Sequence, residues 1–204
     1  MAQPLNITIY LDYICPWCYV ASTRLLMLKK EYREKITIDW KSFPLDPYGL
    51  QPKYSVERLN EGRLRAGREE NSLRFEPWPE NKPLPNSGIP AHKAAKCAQI
   101  QGEEIFERYQ IALMKAYSSY CEDIADRQVL ISLAEEVRLE VKKFISDLES
   151  EWPLKRALAE RGEGVQNVNV IGVPTVVVGE LAVLEAAVPL EVYRQAVRRL
   201  GVQK

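Results

Sequence analysis

The sequence predicts an α/β protein in which a long helical segment interrupts a small sheet. Three observations point there. Residues 7 to 43 read strand, helix, strand; residues 173 to 200 read two short strands and a helix; and the residues between carry helical periodicities with no convincing strand. At 204 residues the chain exceeds a typical domain of about 150, enough for one domain with an insertion or for two small ones.

Residues 7 to 13 alternate, with Ile7, Ile9, Leu11 and Tyr13 on one face and Thr8, Tyr10 and Asp12 on the other, the period of two that marks a strand. Cys15-Pro16-Trp17-Cys18 follows directly. From there Cys18, Ala21, Leu25, Leu28 and Tyr32 recur at steps of three and four, one stripe of a helix. Residues 36 to 43 (ITIDWKSF) alternate again, and a right-handed crossover would set this strand parallel to the first.

In the middle, Ile105, Tyr109, Ala112 and Ala116 form one helical stripe, and Val129, Leu133 and Val137 form another behind an Asp126 cap. Residues 57 to 76 carry five Arg and five Glu, a balanced run expected to be a solvated helix face. Five prolines between residues 77 and 90 exclude a regular helix there and mark a long loop. Near the end, the apolar run Val173 to Val178, the Gly179-Glu180 turn signal and Leu181 to Leu184 predict a hairpin. Pro189 suits a first helical turn, Val192, Tyr193, Ala196, Val197 and Leu200 make the stripe, and Gly201 supplies the stop.

Composition narrows the function. Lys and Arg total 28 and so do Asp and Glu, leaving no basic footprint for nucleic acid or for an acidic membrane. The most apolar stretch, residues 168 to 190, is broken by Asn169, Gly172, Pro174, Gly179, Glu180 and Glu185, so no membrane span is expected. The first basic residue is Arg24, so the basic start of an export signal is missing and a cytoplasmic location is expected. In such a reducing compartment four cysteines point to catalysis, metal or burial rather than to structural disulfides. The sequence says nothing of oligomeric state.

A Cys-x-x-Cys pair is half of a structural zinc site, which needs two further thiolates or imidazoles. His92 is the only histidine, and Cys97 and Cys121 lie far apart on predicted helices, so no metal is expected. Redox chemistry fits better. A Cys-x-x-Cys between a strand and the helix it feeds places the first sulfur at the helix N-terminus, where free N–H groups and the dipole favour a thiolate. Cys15 is therefore the expected nucleophile. Cys18, one turn on and on the apolar stripe, is the expected resolving thiol. Pro16 suits the first helical position. Trp17 is either a contact platform for a partner or a packed side chain.

The segments LDYICPWCYVAS and SFPLDP, the helical middle, the PNS…AH stretch from Pro85 to His92, and Gly172-Val173-Pro174-Thr175 together resemble the DsbA-like thioredoxin superfamily. Within it the chain is similar, over nearly its full length, to the cytoplasmic FrnE-like branch. The resemblance implies a thioredoxin-like fold with a large α-helical insertion, the thioredoxin-like parts being residues 1–55 and 160–204 and the helical domain 56–159. It implies that Pro174 is a cis-proline facing Cys15, with the Val173 backbone, Pro174 and Thr175 joining Pro16 and Trp17 in binding substrate. It further implies a thiol–disulfide oxidoreductase, a dithiol-disulfide reductase or isomerase. No cofactor is needed beyond the redox-active disulfide, with glutathione a possible co-substrate and a disulfide-containing protein or small-molecule thiol or disulfide as substrate.

One departure is instructive. Strongly oxidising relatives carry a histidine between the cysteines; Trp17 cannot supply its charge, so Cys15 is expected to be less acidic and the disulfide less oxidising. A second reading is a glutathione-dependent isomerase or transferase acting on an aromatic small molecule, a use made of similar scaffolds, in which serine usually replaces the first cysteine. A third is a binding module that uses the groove alone. Asp12 is expected either to act on the sulfurs or to be a polar strand end. His92 is expected to pack or cap a helix rather than to move protons. Cys97 and Cys121 are expected to be buried small apolar groups rather than a second redox pair.

Overall fold

The structure is a computed structural model that describes residues 3–48, 55–85, 87–180 and 182–203. Two strands, β1 (Leu5–Leu11) and β2 (Ile36–Ser42), flank helix α1 (Pro16–Tyr32). Six helices follow: α2 (Val56–Glu69), α3 (Ile89–Gln99), α4 (Glu103–Tyr120), α5 (Arg127–Glu136), α6 (Val141–Glu149) and α7 (Trp152–Glu163). A short π-helical segment, Gly164–Val168, leads to the hairpin β3 (Thr175–Val178) and β4 (Ala182–Glu185), and α8 (Leu190–Arg199) closes the chain. The strand order is β2-β1-β3-β4, with β1 and β2 parallel and the other neighbours antiparallel. This is a thioredoxin-like α/β fold with the helical segment inserted between β2 and β3. The boundary expected at residue 159 falls inside α7.

The sheet's register sorts its side chains to two faces. Ile7 pairs with Val178 and Ile9 with Val176, and these four pack with Leu25 and Leu28 of α1 and with Tyr193 and Val197 of α8 in the main core. On the other face Tyr10 meets Phe43 and Val170 in a small second cluster. There Gly164 is required, because a Cβ on it would lie 2.8 Å from a Tyr10 ring carbon. All five residues of the expected α1 stripe are buried.

β2 is an edge strand whose free edge is filled by an ion pair instead of a neighbour. Lys96 Nζ donates to the Trp40 carbonyl at 3.3 Å, the Ser42 amide donates to Glu160 Oε2 at 2.7 Å, and amine and carboxylate meet at 2.7 Å. The pair supplies the donor and acceptor that a further strand would offer, satisfying backbone groups that burial would otherwise leave unpaired. It also fixes α3 and α7 beside β2.

Most of the charged run at 57–76 is the solvated face expected of it, with Glu57, Arg58, Glu61, Arg65, Arg68 and Glu69 exposed, but one residue departs. Arg63 is fully buried. Its guanidinium donates to the carbonyls of Glu76, Tyr117 and Ser118 and to Cys121 Sγ, and lies 5.5 and 5.1 Å from the Trp78 and Tyr117 ring centres. Two of those carbonyls belong to the last turn of α4, where free acceptors and the negative end of the dipole attract a cation. Arg24 likewise ties α1 to Glu70 and to the Ala187 and Val188 carbonyls. Arg63's partners lie 13 to 58 positions along the chain, which is why charge patterning pointed this residue to solvent.

Candidate active site

β1 ends and α1 begins within four residues, and that turn carries the dithiol. Cys15 is the N-cap of α1, with extended backbone (φ −93°, ψ 114°), and Pro16 occupies the first turn, where a missing N–H costs nothing. The Cys15 amide donates to the Asp12 carbonyl at 3.2 Å and the Cys18 amide to the Cys15 carbonyl at 3.0 Å. Both cysteines are free thiols, Cys15 half-buried and Cys18 fully buried.

The antiparallel pairing of Tyr10 with Thr175, extended by two residues, brings Val173 alongside the β1–α1 turn. Cys15 Sγ there lies 3.7 Å from the Val173 carbonyl oxygen, and the Val173–Pro174 bond is cis. Pro174 is buried, while Val173, Pro16 and Trp17 are half-buried, the last packed in part on the core. Thr175 is buried and its hydroxyl donates to the Gly172 carbonyl at 2.7 Å, closing the turn before Pro174. Ile171, 80 % exposed, and exposed Leu45 add apolar surface on the loops that flank this turn.

The two sulfurs are driven apart in acidity. The Cys18 thiol donating to it, aided by the Cys18 and Trp17 amides, holds the Cys15 thiol below the ordinary range, against burial and the Asp12 charge. Burial, then the demand of Cys15 on its proton, pushes Cys18 well up. A thiolate therefore forms first on Cys15, the more exposed sulfur, while Cys18 beneath it holds its proton.

Asp12 and His92, 80 positions apart, meet in the buried layer under this turn: Asp12 Oδ1 and His92 Nε2 are 3.2 Å apart. Cys97 and Cys121 are buried on α3 and just after α4, and burial pushes the Cys97 thiol up to about 12. Among the described residues no cluster of His, Cys, Asp and Glu is arranged to hold a metal, and no helix is long and apolar enough to cross a membrane. Sequence reasoning missed Arg63, the Lys96–Glu160 pair and the grip of the Asp12 carboxylate on Leu45. Only the last left a signal, an acidic residue three places before a Cys-x-x-Cys.

Comparison with known proteins agrees with this fold. The chain is 28 % identical over 160 residues to the ClpXP adapter protein SpxH of Halalkalibacterium halodurans, covering 75 % of this chain and 52 % of that protein. It thus spans about half the length of that relative. Among solved structures, a Nitrosomonas europaea protein named provisionally as a protein disulfide isomerase superposes with a TM-score of 0.83 at 17 % identity, over 97 % of both chains. The cytosolic disulfide reductase DsbM of Pseudomonas aeruginosa gives 0.76 at 19 %, over 96 % of this chain and 100 % of that one. A 2-hydroxychromene-2-carboxylate isomerase gives 0.74 at 18 %, over 96 % of each. At these identities the superpositions speak to the fold. Residues 6–198 match the family model of the DSBA-like thioredoxin domain, and with nearly the whole sequence so matched the chain belongs to the DSBA-like thioredoxin family.

Proposed function

We propose that the protein is a thiol–disulfide oxidoreductase that works as a reductase or isomerase in a reducing, cytoplasmic setting. The observation that carries this reading is a half-buried, acidified Cys15 at a helix N-terminus, facing the Val173 carbonyl, with a buried, protonated Cys18 one turn on.

The Cys15 thiolate attacks one sulfur of a substrate disulfide. A Cys15–substrate bond forms, the substrate S–S bond breaks, and the leaving thiolate takes a proton. Cys18 then gives up its proton and attacks Cys15 Sγ, releasing the second substrate thiol. The substrate gains two electrons and two protons, and the protein ends as the Cys15–Cys18 disulfide. Two molecules of a thiol such as glutathione, or one dithiol, reset it. In isomerisation Cys18 does not act: the released substrate thiolate attacks another disulfide of the same substrate, and the thiolate freed there attacks the Cys15–substrate bond, forming a new substrate disulfide and returning the Cys15 thiolate.

The apolar loop residues Leu45 and Ile171 and the Val173 backbone suit an extended protein segment as substrate. Glutathione-dependent isomerisation of an aromatic compound requires neither a second sulfur nor its raised acidity gap, so the retained Cys15 and Cys18 favour disulfide chemistry. With Trp17 between the cysteines and no cation acting on Cys15 among the described residues, the reduction potential is expected nearer the roughly −270 mV of thioredoxin than the roughly −120 mV of the strong oxidant DsbA.

The test is turnover of a protein disulfide in a glutathione buffer. Cys15→Ser is expected to abolish it, and Cys18→Ser to accumulate a mixed disulfide on Cys15 that mass measurement detects. Undiminished turnover by Cys15→Ser would remove the reading.

A further inference from the structure

The dithiol turn is organised around Asp12. Its backbone touches both cysteines, its carbonyl accepting from the Cys15 amide at 3.2 Å and its amide donating to Cys18 Sγ at 3.4 Å. Its side chain is 1 % exposed and held on both oxygens. Oδ1 accepts from the Ile14 amide and faces His92 Nε2, each at 3.2 Å, while Oδ2 accepts from the Leu45 amide at 2.7 Å. Among the described residues His92 Nδ1 has no hydrogen-bond partner, and a carboxylate oxygen can only accept, so the proton in this contact is on Nε2. The imidazole is fixed in turn by an edge contact with Tyr13, ring centres 5.0 Å apart. Gly88 lets the start of α3 close over the carboxylate, since a Cβ there would stand 3.0 Å from Oδ1.

A purely structural bracket would serve as well without a charge. The charge of this carboxylate opposes ionisation of both sulfurs, to which the Asp12 backbone is hydrogen-bonded. The other charged or titratable groups in range come from five helices. Tyr193 on α8 senses Cys18. Glu160 on α7 acts on Tyr13, Lys96 on α3 offsets Glu160, and Tyr117 on α4, backed by Arg63 on α2, senses both Asp12 and Cys15. Among these, only Asp12 reaches the dithiol through hydrogen bonds as well as charge.

We propose that Asp12, locked by His92, is a positioning residue for the Cys15–Cys18 pair, and that its charge sets the balance between the dithiol and disulfide forms. This rests on the reading of Cys15 and Cys18 as a redox pair. The carboxylate fixes the turn that presents Cys15 while restraining its thiolate, so the reduced form is not over-stabilised and the pair can give up electrons to a substrate. Through the Leu45 amide the same carboxylate couples the dithiol to the loop after β2.

The experiment uses Asp12→Asn, His92→Phe and His92→Gln in the full chain, with iodoacetamide alkylation of Cys15 across pH and equilibration in a glutathione redox buffer. Asp12→Asn is expected to lower the alkylation midpoint of Cys15 by about half a pH unit or more. It should also move the glutathione equilibrium severalfold toward the dithiol. His92→Gln, which keeps an N–H for Oδ1, should stay closer to the parent than His92→Phe. Because His92 is the single histidine, its ring proton resonance is unambiguous, and it should move between the reduced and disulfide forms of the parent. A folded Asp12→Asn chain with unchanged midpoint and equilibrium overturns the proposal. Should that variant not fold, a His92 resonance identical in both redox forms overturns it instead. The alkylation readout needs no turnover, so a protein inactive on every disulfide would sink the proposed function while leaving this inference to its own result.

Discussion

Cys15 Sγ lies 3.7 Å from the carbonyl oxygen of Val173, a residue 158 positions further along the chain. The antiparallel register of β1 and β3 makes that approach, and it puts the more acidic sulfur beside a backbone acceptor. An extended substrate laid along Val173 would present its own sulfur to Cys15.

The acidity of Cys15 depends first on the Cys18 thiol that donates to it. At neutral pH iodoacetamide should label Cys15 before Cys18. Cys18→Ala should raise the pH midpoint of Cys15 alkylation, because the thiolate loses its main donor. Faster labelling of Cys18 in the parent would reverse the two roles.

Burial pushes the Glu160 carboxyl up, but Lys96, the Ser42 amide and Arg156 together outweigh it and hold the group below its ordinary 4.5. A carboxylate with a depressed folded value contributes stability above its unfolded value and loses it as pH falls through the folded one. Stability should therefore drop in acid below about pH 4.5, and Glu160→Gln should flatten that part of the curve. Lys96→Met, which leaves the buried carboxylate at the β2 edge with the Ser42 amide and the more exposed Arg156 but without its buried cation, should cost about 3 kcal/mol or more in denaturant unfolding.

Arg63→Lys keeps the charge but replaces a planar fork by a point donor. It cannot serve the Glu76, Tyr117 and Ser118 carbonyls together, and it surrenders the stacking between Trp78 and Tyr117. A loss of about 2–4 kcal/mol is expected from urea titration. A neutral result would mean that α2 is held to α4 by apolar contacts alone.

Two glycines close together in sequence should answer oppositely to alanine. At Gly164 a Cβ would meet Tyr10 at 2.8 Å and Phe43 at 3.3 Å, so Gly164→Ala should cost about 1–3 kcal/mol. At Gly162, within α7, nothing stands within 4 Å, and Gly162→Ala should gain about 0.5–1 kcal/mol. Thermal unfolding of the two variants checks the pair; equal effects would contradict the packing described for the second cluster.

Local periodicity sufficed for much of this protein. The alternation from Ile7 to Leu11, the α1 stripe from Cys18 to Tyr32, the Asp126 cap and the Gly179 turn are each written in neighbours along the chain, and short-range sterics and capping read them directly. The Cys15-Pro-Trp-Cys18 motif is local too, and a helix N-terminus makes its chemistry legible. Charge patterning failed at Arg63, because a cation looks solvated until three carbonyls and two rings, brought from the loop after α2 and from α4, close around it. The Asp12–His92 contact, the Lys96–Glu160 pair on the sheet edge and the nearness of Val173 to Cys15 likewise join residues that share no sequence neighbourhood. Those meetings are fixed by strand register and by helices docking through buried area. The sequence alone therefore determined the elements and the Cys15–Cys18 spacing at a helix start, whereas only the tertiary structure decided which groups surround the sulfurs.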